Sequence, residues 1–200
     1  LTSGRFSVDD LTLSGDDNYI YFKANMEHPG LYEVYRADLS DNTIDTMTDL
    51  NGMTDYSLSP DGKNLLLSHS KVNQPQELYI KPADETTAAK QITQSTSATF
   101  NALPWAVPNI VAIESSHTDA FIYARVYLPE NYDKSAPNKA VVFNHGAGYL
   151  QNAHMGWSGY FREYMFHSML VQQGYVVLDM DYRASAGYGR DWRTAIYRQM

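Results

Sequence analysis

The 200-residue sequence predicts an all-β region at 1–106, read as two blades of a β-propeller, followed at 107–200 by an α/β region. Three observations carry that prediction. LSGDDNYIYF at 13–22 recurs as LSPDGKNLLL at 58–67, and HPGLYEVY at 28–35 recurs as QPQELYIK at 74–81. Short strands set off by turn signals and repeating at roughly 40–50 residues are the sequence mark of propeller blades. Sixteen tyrosines favour half-buried strands over a helical bundle. Beyond Trp105 the grammar changes to strand, helix, strand, helix, which encodes a parallel sheet with helices on its faces.

Each repeat unit opens on a turn, Gly15-Asp16-Asp17-Asn18 in the first and Pro60-Asp61-Gly62-Lys63 in the second. Gly, Asp, Asn and Pro suit tight hairpins because they tolerate positive φ, fix φ or bond their own backbone. A short apolar strand follows, at 19–24 or 64–69, then a Pro-marked loop and an alternating strand, at 31–38 or 77–82. A Thr-rich segment closes each unit, at 44–49 and 89–93. A β-sandwich with two chance matches is the alternative; the common order of turn, strand and Leu-Tyr pair favours blades.

In the second region, 109–114 and 121–128 read as strands, the latter alternating Ile122, Ala124, Val126 and Leu128 against Phe121, Tyr123, Arg125 and Tyr127. A polar loop occupies 129–138. Residues 140–144, with a continuous Val141-Val142-Phe143, predict a strand buried on both faces. The helix expected at 159–173 has Ser158 as N-cap, Gly174 at its C′ position, and an apolar stripe of Phe161, Tyr164, Met165, Met169 and Leu170. Residues 175–180 give another strand, and Asp191 would cap a last helix carrying Trp192, Ala195, Ile196 and Gln199.

Composition narrows the function classes. A formal charge of −8, from 15 basic and 23 acidic residues, argues against a nucleic-acid platform, which needs clustered Lys and Arg. No apolar run approaches the roughly 18–20 residues of a membrane-spanning helix, and no signal peptide is read at Leu1. Cysteine is absent, so there is no thiolate nucleophile or disulfide framework. Six histidines, at 28, 69, 117, 145, 154 and 167, form no metal-ligand spacing, and neither a Walker loop nor a Rossmann fingerprint occurs; no cofactor is expected.

Two loops follow the predicted buried strands, where α/β proteins place their ligands. The first is His145-Gly146-Ala147-Gly148, whose small residues let backbone N–H groups approach a developing oxyanion; a plain glycine turn is the alternative. The second is DYRASAGYGRDW at 181–192, with Ser185 in strand-to-helix context. A nucleophile elbow needs Gly two residues before its Ser, and Arg183 stands there; no His follows residue 167. Ser185 is therefore read as a loop residue, with Asp181 and Arg183 as a possible pair. Gly156-Trp157-Ser158-Gly159 fails the same motif at Tyr160.

KQITQS at 90–95, YARVYLPENYD at 123–133, VVFNHGAGY at 141–149 and GYVVLDMDYRASAGYGRDWR at 174–193 occur in an order that resembles the prolyl oligopeptidase family of serine peptidases. Within it, the resemblance is to dipeptidyl-peptidase-IV-like and acylaminoacyl-peptidase-like members. It covers nearly the whole chain and is most specific over 121–200. It implies the last two blades of a propeller at 1–106, then the N-terminal part of an α/β-hydrolase domain at 107–200. The Ser-His-Asp triad would lie beyond Met200, and DWRTAIYRQM would be a helix cut short of it. His145, Gly146 and Ala147 match the segment shaping the oxyanion hole. His145 stands where dipeptidyl-peptidase-IV-like enzymes place a Tyr hydroxyl, leaving a backbone donor near Gly146–Ala147 or the His145 side chain to serve. Asp181 and Arg183 belong to the active-site loop, in which Ala184 replaces a Gly common in the family. The implied partner is a short peptide substrate, with no nucleic acid or membrane. An esterase, or an interaction module with a degenerate hydrolase domain, are the alternatives. Localisation stays open between a periplasmic or secreted and a cytoplasmic bacterial enzyme.

Overall fold

The computed structural model describes residues 1–146 and 149–198, which form two compact units. The first comprises Leu1–Thr96 with Met155–Trp157 and Gly187–Arg190; the second comprises Ser97–His154, Ser158–Ala186 and Asp191–Met200.

The first unit holds two four-stranded antiparallel sheets, each ordered as the chain runs. One contains β1 (Val8–Leu13), β2 (Tyr19–Ala24), β3 (Glu33–Asp38) and β4 (Ile44–Thr46); the other contains β5 (Met53–Leu58), β6 (Asn64–Lys71), β7 (Gln74–Pro82) and β8 (Lys90–Gln91). This is the blade pattern: β4 and β8 form in the Thr-rich closing segments, and each unit has one further strand that the repeat did not predict. The extra strands, β1 and β5, precede the turns; VDDLTL and MTDYSL share too little for the repeat to expose them.

The repeat is physical. In the first turn Ser14 Oγ donates to Asp16 Oδ1 (2.6 Å) and accepts from Tyr19 N (2.9 Å). In the second, Ser59 Oγ donates to Asp61 Oδ1 (2.6 Å) and accepts from Asn64 N (2.9 Å). Asp17 and Gly62 take the same left-handed conformation, φ 59° and 71°. The serine hydrogen bonds hold both Asp16 and Asp61 below the usual carboxylate range. The blades also close alike. Glu33 Oε2 accepts from Thr48 Oγ1 (2.5 Å), whose oxygen accepts from Val34 N (2.9 Å). Glu77 Oε2 accepts from Thr93 Oγ1 (2.5 Å), whose oxygen accepts from Leu78 N (2.8 Å).

Tyr21, Val34 and Met47 of the first blade pack with Leu65 and Leu67 of the second. Fully burying each of these leucines is worth about 1.5–3 kcal/mol. Phe22, Ala24, Tyr35 and Ala37 fill a second cluster on the first blade's other face, so that blade is covered on both sides. On the second blade Leu66, Leu78 and Ile80 point outward and are exposed.

The second unit begins with the short α1 (Ala98–Asn101), capped by Ser97. It continues with β9 (Asn109–Glu114), β10 (Phe121–Tyr127), β11 (Ala140–Asn144), α2 (Phe161–Gln172), β12 (Val176–Met180), α3 (Arg190–Arg193) and a 3₁₀ turn at Thr194–Ile196. Its sheet is ordered β11-β12-β10-β9 and is mixed. Only β11 and β12 run parallel; β10 pairs antiparallel with both β12 and β9. The expected parallel sheet is thus confined to one pair.

Residues 140–144 are not buried on both faces. Among the described residues β11 lies at the end of the sheet beside β12, and its residues alternate between half-buried and exposed, with Val142 59% exposed. The helix also departs from its predicted stripe. Tyr164, His167, Ser168 and Leu170 are buried, while Phe161 and Met169 face solvent. Two polar side chains set that roll: Tyr164 Oη donates to Ala106 O (3.1 Å), and Ser168 Oγ accepts from Ala106 N (3.2 Å). The N-cap position falls at Tyr160, with Ser158 Oγ accepting from Tyr160 N one step earlier. At the other end Gly174 stands at C′ with φ 85°, and the bonds Gly174 N to Val171 O and Tyr175 N to Leu170 O complete a Schellman motif. Asp191 lies in the first turn of α3, not before it.

Candidate functional site

Parallel pairing sets β11 and β12 in register, with Asn144 opposite Met180. The residues that follow, His145 and Asp181, therefore leave the same end of adjacent strands. His145 Nε2 lies 3.1 Å from Asp181 Oδ1, and both side chains are buried. Asp181 also accepts from two backbone amides, Asn152 N (2.6 Å) and Ala153 N (3.2 Å), so one carboxylate holds both the His-Gly loop and the segment after it. Tyr182 stacks on the His145 ring at 4.6 Å and donates its hydroxyl to Gly146 O (2.6 Å), with His145 O at 3.2 Å.

Beneath this lies a second polar layer. Arg125 on β10 sits opposite Asp179 on β12. Burial raises the Asp179 carboxyl, against a hydrogen bond from Asn152 Nδ2 (2.8 Å) and the Arg125 charge. Arg125 Nε donates to His154 O (3.0 Å), and its Nη2 lies 3.2 Å from His154 Nδ1. Burial and the Arg125 charge drive His154 well below the ordinary histidine range, so it is a neutral imidazole.

The structure thus brings together His145, Gly146 and Asp181. Arg183 is exposed, and Asp181 turns inward to His145. Ala147 lies outside the described residues. Asn152 and Tyr182 complete the cluster, and neither was singled out from sequence: Asn152 lies in a loop without a motif, whereas Tyr182 sits inside the DYRAS run beside Asp181. Ser185 is 1% exposed, accepts from Tyr182 N (3.0 Å), and places its Oγ 3.3 Å from His145 Nε2. A catalytic relay runs across the imidazole, with the carboxylate on one nitrogen and the hydroxyl on the other. Here Asp181 and Ser185 meet the same nitrogen, so the three form no relay. Ala184 adopts φ 86°, a left-handed conformation that suits the Gly found there in much of the family.

The order of a two-blade all-β unit and an α/β unit recurs in a solved structure. Over 98% of this chain it matches the crystal structure of Porphyromonas gingivalis dipeptidyl peptidase 4, with a TM-score of 0.81 and 19% identity, spanning 27% of that chain. The sheet-rich fold is therefore that of a dipeptidyl peptidase 4 chain over this span. Residues 1–76 match the model for the dipeptidyl peptidase IV N-terminal region, and residues 161–200 match that of the prolyl oligopeptidase family. The chain is also 25% identical over 208 aligned positions to a probable dipeptidyl-aminopeptidase B of Podospora anserina, spanning 98% of this chain and 21% of that protein. The chain is thus similar at its two ends to the dipeptidyl peptidase IV N-terminal region and to the prolyl oligopeptidase family, and along its length to dipeptidyl-peptidase-IV-like proteins.

Proposed function

We propose that this chain is a portion of a serine peptidase that hydrolyses short peptides by acyl transfer. Residues 1–106 would be the last blades of its propeller, and 107–200 the N-terminal part of an α/β-hydrolase domain carrying the oxyanion loop. The nucleophilic Ser, the Asp and the base His would lie in the remainder of a longer protein. Its coverage of about a fifth to a quarter of the relatives' lengths supports that reading. So does the open apolar face of the second blade, which suits packing against a further blade. The observation that carries the site is the clamp by Asp181 on the His145-Gly146 loop at the end of the parallel strand pair.

The backbone is the better oxyanion donor. The His145 carbonyl is drawn to the Tyr182 hydroxyl, and in a trans peptide the Gly146 N–H points the opposite way. Preorganised N–H groups of this kind stabilise the tetrahedral intermediate formed when a Ser attacks a peptide carbonyl. In such a peptidase the propeller would act as a size filter, admitting short peptides and excluding folded proteins.

The test is to clone the gene around this coding stretch and assay the longer protein. The expected result is a downstream G-x-S-x-G followed by Asp and His, with turnover of dipeptidyl chromogenic amides. Ester turnover without amide cleavage would sink the peptidase reading, and an intact gene without the triad would leave an interaction module.

A further inference from the structure

Both ring nitrogens of His145 face acceptors. Nδ1 lies 2.9 Å from Gly146 O, a carbonyl, and Nε2 lies 3.1 Å from the Asp181 carboxylate. A neutral imidazole has one N–H and one lone pair, so it can satisfy only one such partner. Ser185 Oγ, 3.3 Å from Nε2, does not remove the difficulty. Were it to donate to a bare Nε2, the lone pair would be left facing Asp181 Oδ1.

The geometry points to His145 being held as an imidazolium whose two N–H groups tie the Gly146 peptide to Asp181. His145 is then a positioning residue for the oxyanion loop, an inference that rests on the function proposed above. Among the described residues, the charged, carbonyl and aromatic groups around the ring fit a cation. From the end of β12 come the carboxylates of Asp181 and Asp179 and the stacked ring of Tyr182, 4.6 Å away at 22°. From the loop after β11 comes the Gly146 carbonyl. The nearby cation, Arg125, is bonded to His154, whose Nδ1 accepts; this second histidine is neutral for the reason that the first is charged. Burial alone would lower His145, but the Asp181 hydrogen bond, the Gly146 carbonyl and the two aspartate charges raise it above the ordinary histidine value. With both nitrogens committed, its side chain keeps no donor for substrate, and the oxyanion falls to the backbone.

The ring can be observed directly. Long-range ¹H–¹⁵N correlation on the 200-residue protein should show both His145 nitrogens protonated at pH 7, with the titration midpoint above that pH. Asp181→Asn should cut the proton affinity by roughly tenfold or more, moving the midpoint down by a unit or more. A single protonated nitrogen at pH 7, or a midpoint unmoved in Asp181→Asn, would overturn the imidazolium. In the longer protein, kcat/KM on a dipeptidyl amide should decline as pH rises through the same midpoint. His145→Gln should abolish that limb and cost about tenfold, less than the roughly 10²–10³ of a lost oxyanion donor. A basic limb that persists in His145→Gln overturns the positioning role. Absence of all amide turnover would instead overturn the proposed peptidase, while the ring measurement decides the charge of His145 separately.

Discussion

Removing the Glu33 side chain should destabilise the blade unit by about 3 kcal/mol. Glu33 is 3% exposed and accepts from Thr48 Oγ1 (2.5 Å), Asn51 N (2.8 Å), Leu50 N (2.9 Å) and Thr54 Oγ1 (3.4 Å). In Glu33→Ala the Thr54 hydroxyl keeps His69 Nδ1 at 3.0 Å, and water can reach the exposed Asn51. The Thr48 hydroxyl is stranded in the core at a cost of about 1–3 kcal/mol, and the Leu50 amide loses roughly 1 kcal/mol, the Asn51 amide being resupplied by water. The sum shifts the folding equilibrium by a factor on the order of 10². Urea denaturation followed by circular dichroism at pH 7 reads this directly. Glu77→Ala is the internal comparison and should cost less, because the Glu77 partners, Thr93 and Ser95, lie in its own blade's closing segment, whereas Glu33 reaches Thr54 on the next. The two also differ in pH dependence. Burial raises Glu33, so its contribution is greatest at low pH and is lost as pH rises through its folded pKa. The Thr93 hydrogen bond lowers Glu77, so its contribution is present above the usual Glu range and is lost as pH falls through the folded pKa. Glu33→Gln and Glu77→Gln should remove slopes of opposite sign. A Glu33→Ala protein within about 1 kcal/mol of wild type, or slopes of the same sign, would refute this account of blade closure.

Ala184→Gly should stabilise the second unit by about 1 kcal/mol, because an L-residue at φ 86° carries strain that Gly lacks; an unchanged or lower urea midpoint would contradict it. Leu65→Ala, at a position with no exposure, should cost about 2–5 kcal/mol by the same measurement, and less than 1 would mean the blades do not share that core. The 200-residue protein should neither hydrolyse chromogenic amides nor be labelled by a fluorophosphonate probe. Covalent labelling of Ser185 would overturn the argument that a hydroxyl sharing Nε2 with Asp181 is no nucleophile.

The turns, most strands and the helix stop were legible in the sequence because each is decided within a few residues. Ser14-Gly15-Asp16 and Ser59-Pro60-Asp61 carry their own hydrogen bonds, and Gly174 supplies the one conformation that closes α2. The paired glutamates could have been found by extending the repeat, since Glu33 and Thr48 recur as Glu77 and Thr93 at nearly the same offset. What the tertiary structure alone decided involves partners distant in sequence. VVF reads as a doubly buried strand, yet Val142 is 59% exposed in this chain: burial of a face depends on what packs over it, which no local pattern records. The face of α2 was set by two bonds to Ala106, more than fifty residues away, which turned polar Ser168 inward and apolar Met169 outward. The charge of His145 belongs to the same class. Sequence places a histidine before a glycine; only the register of β11 on β12 sets a carboxylate against its ring, and a proton's affinity follows from what faces it.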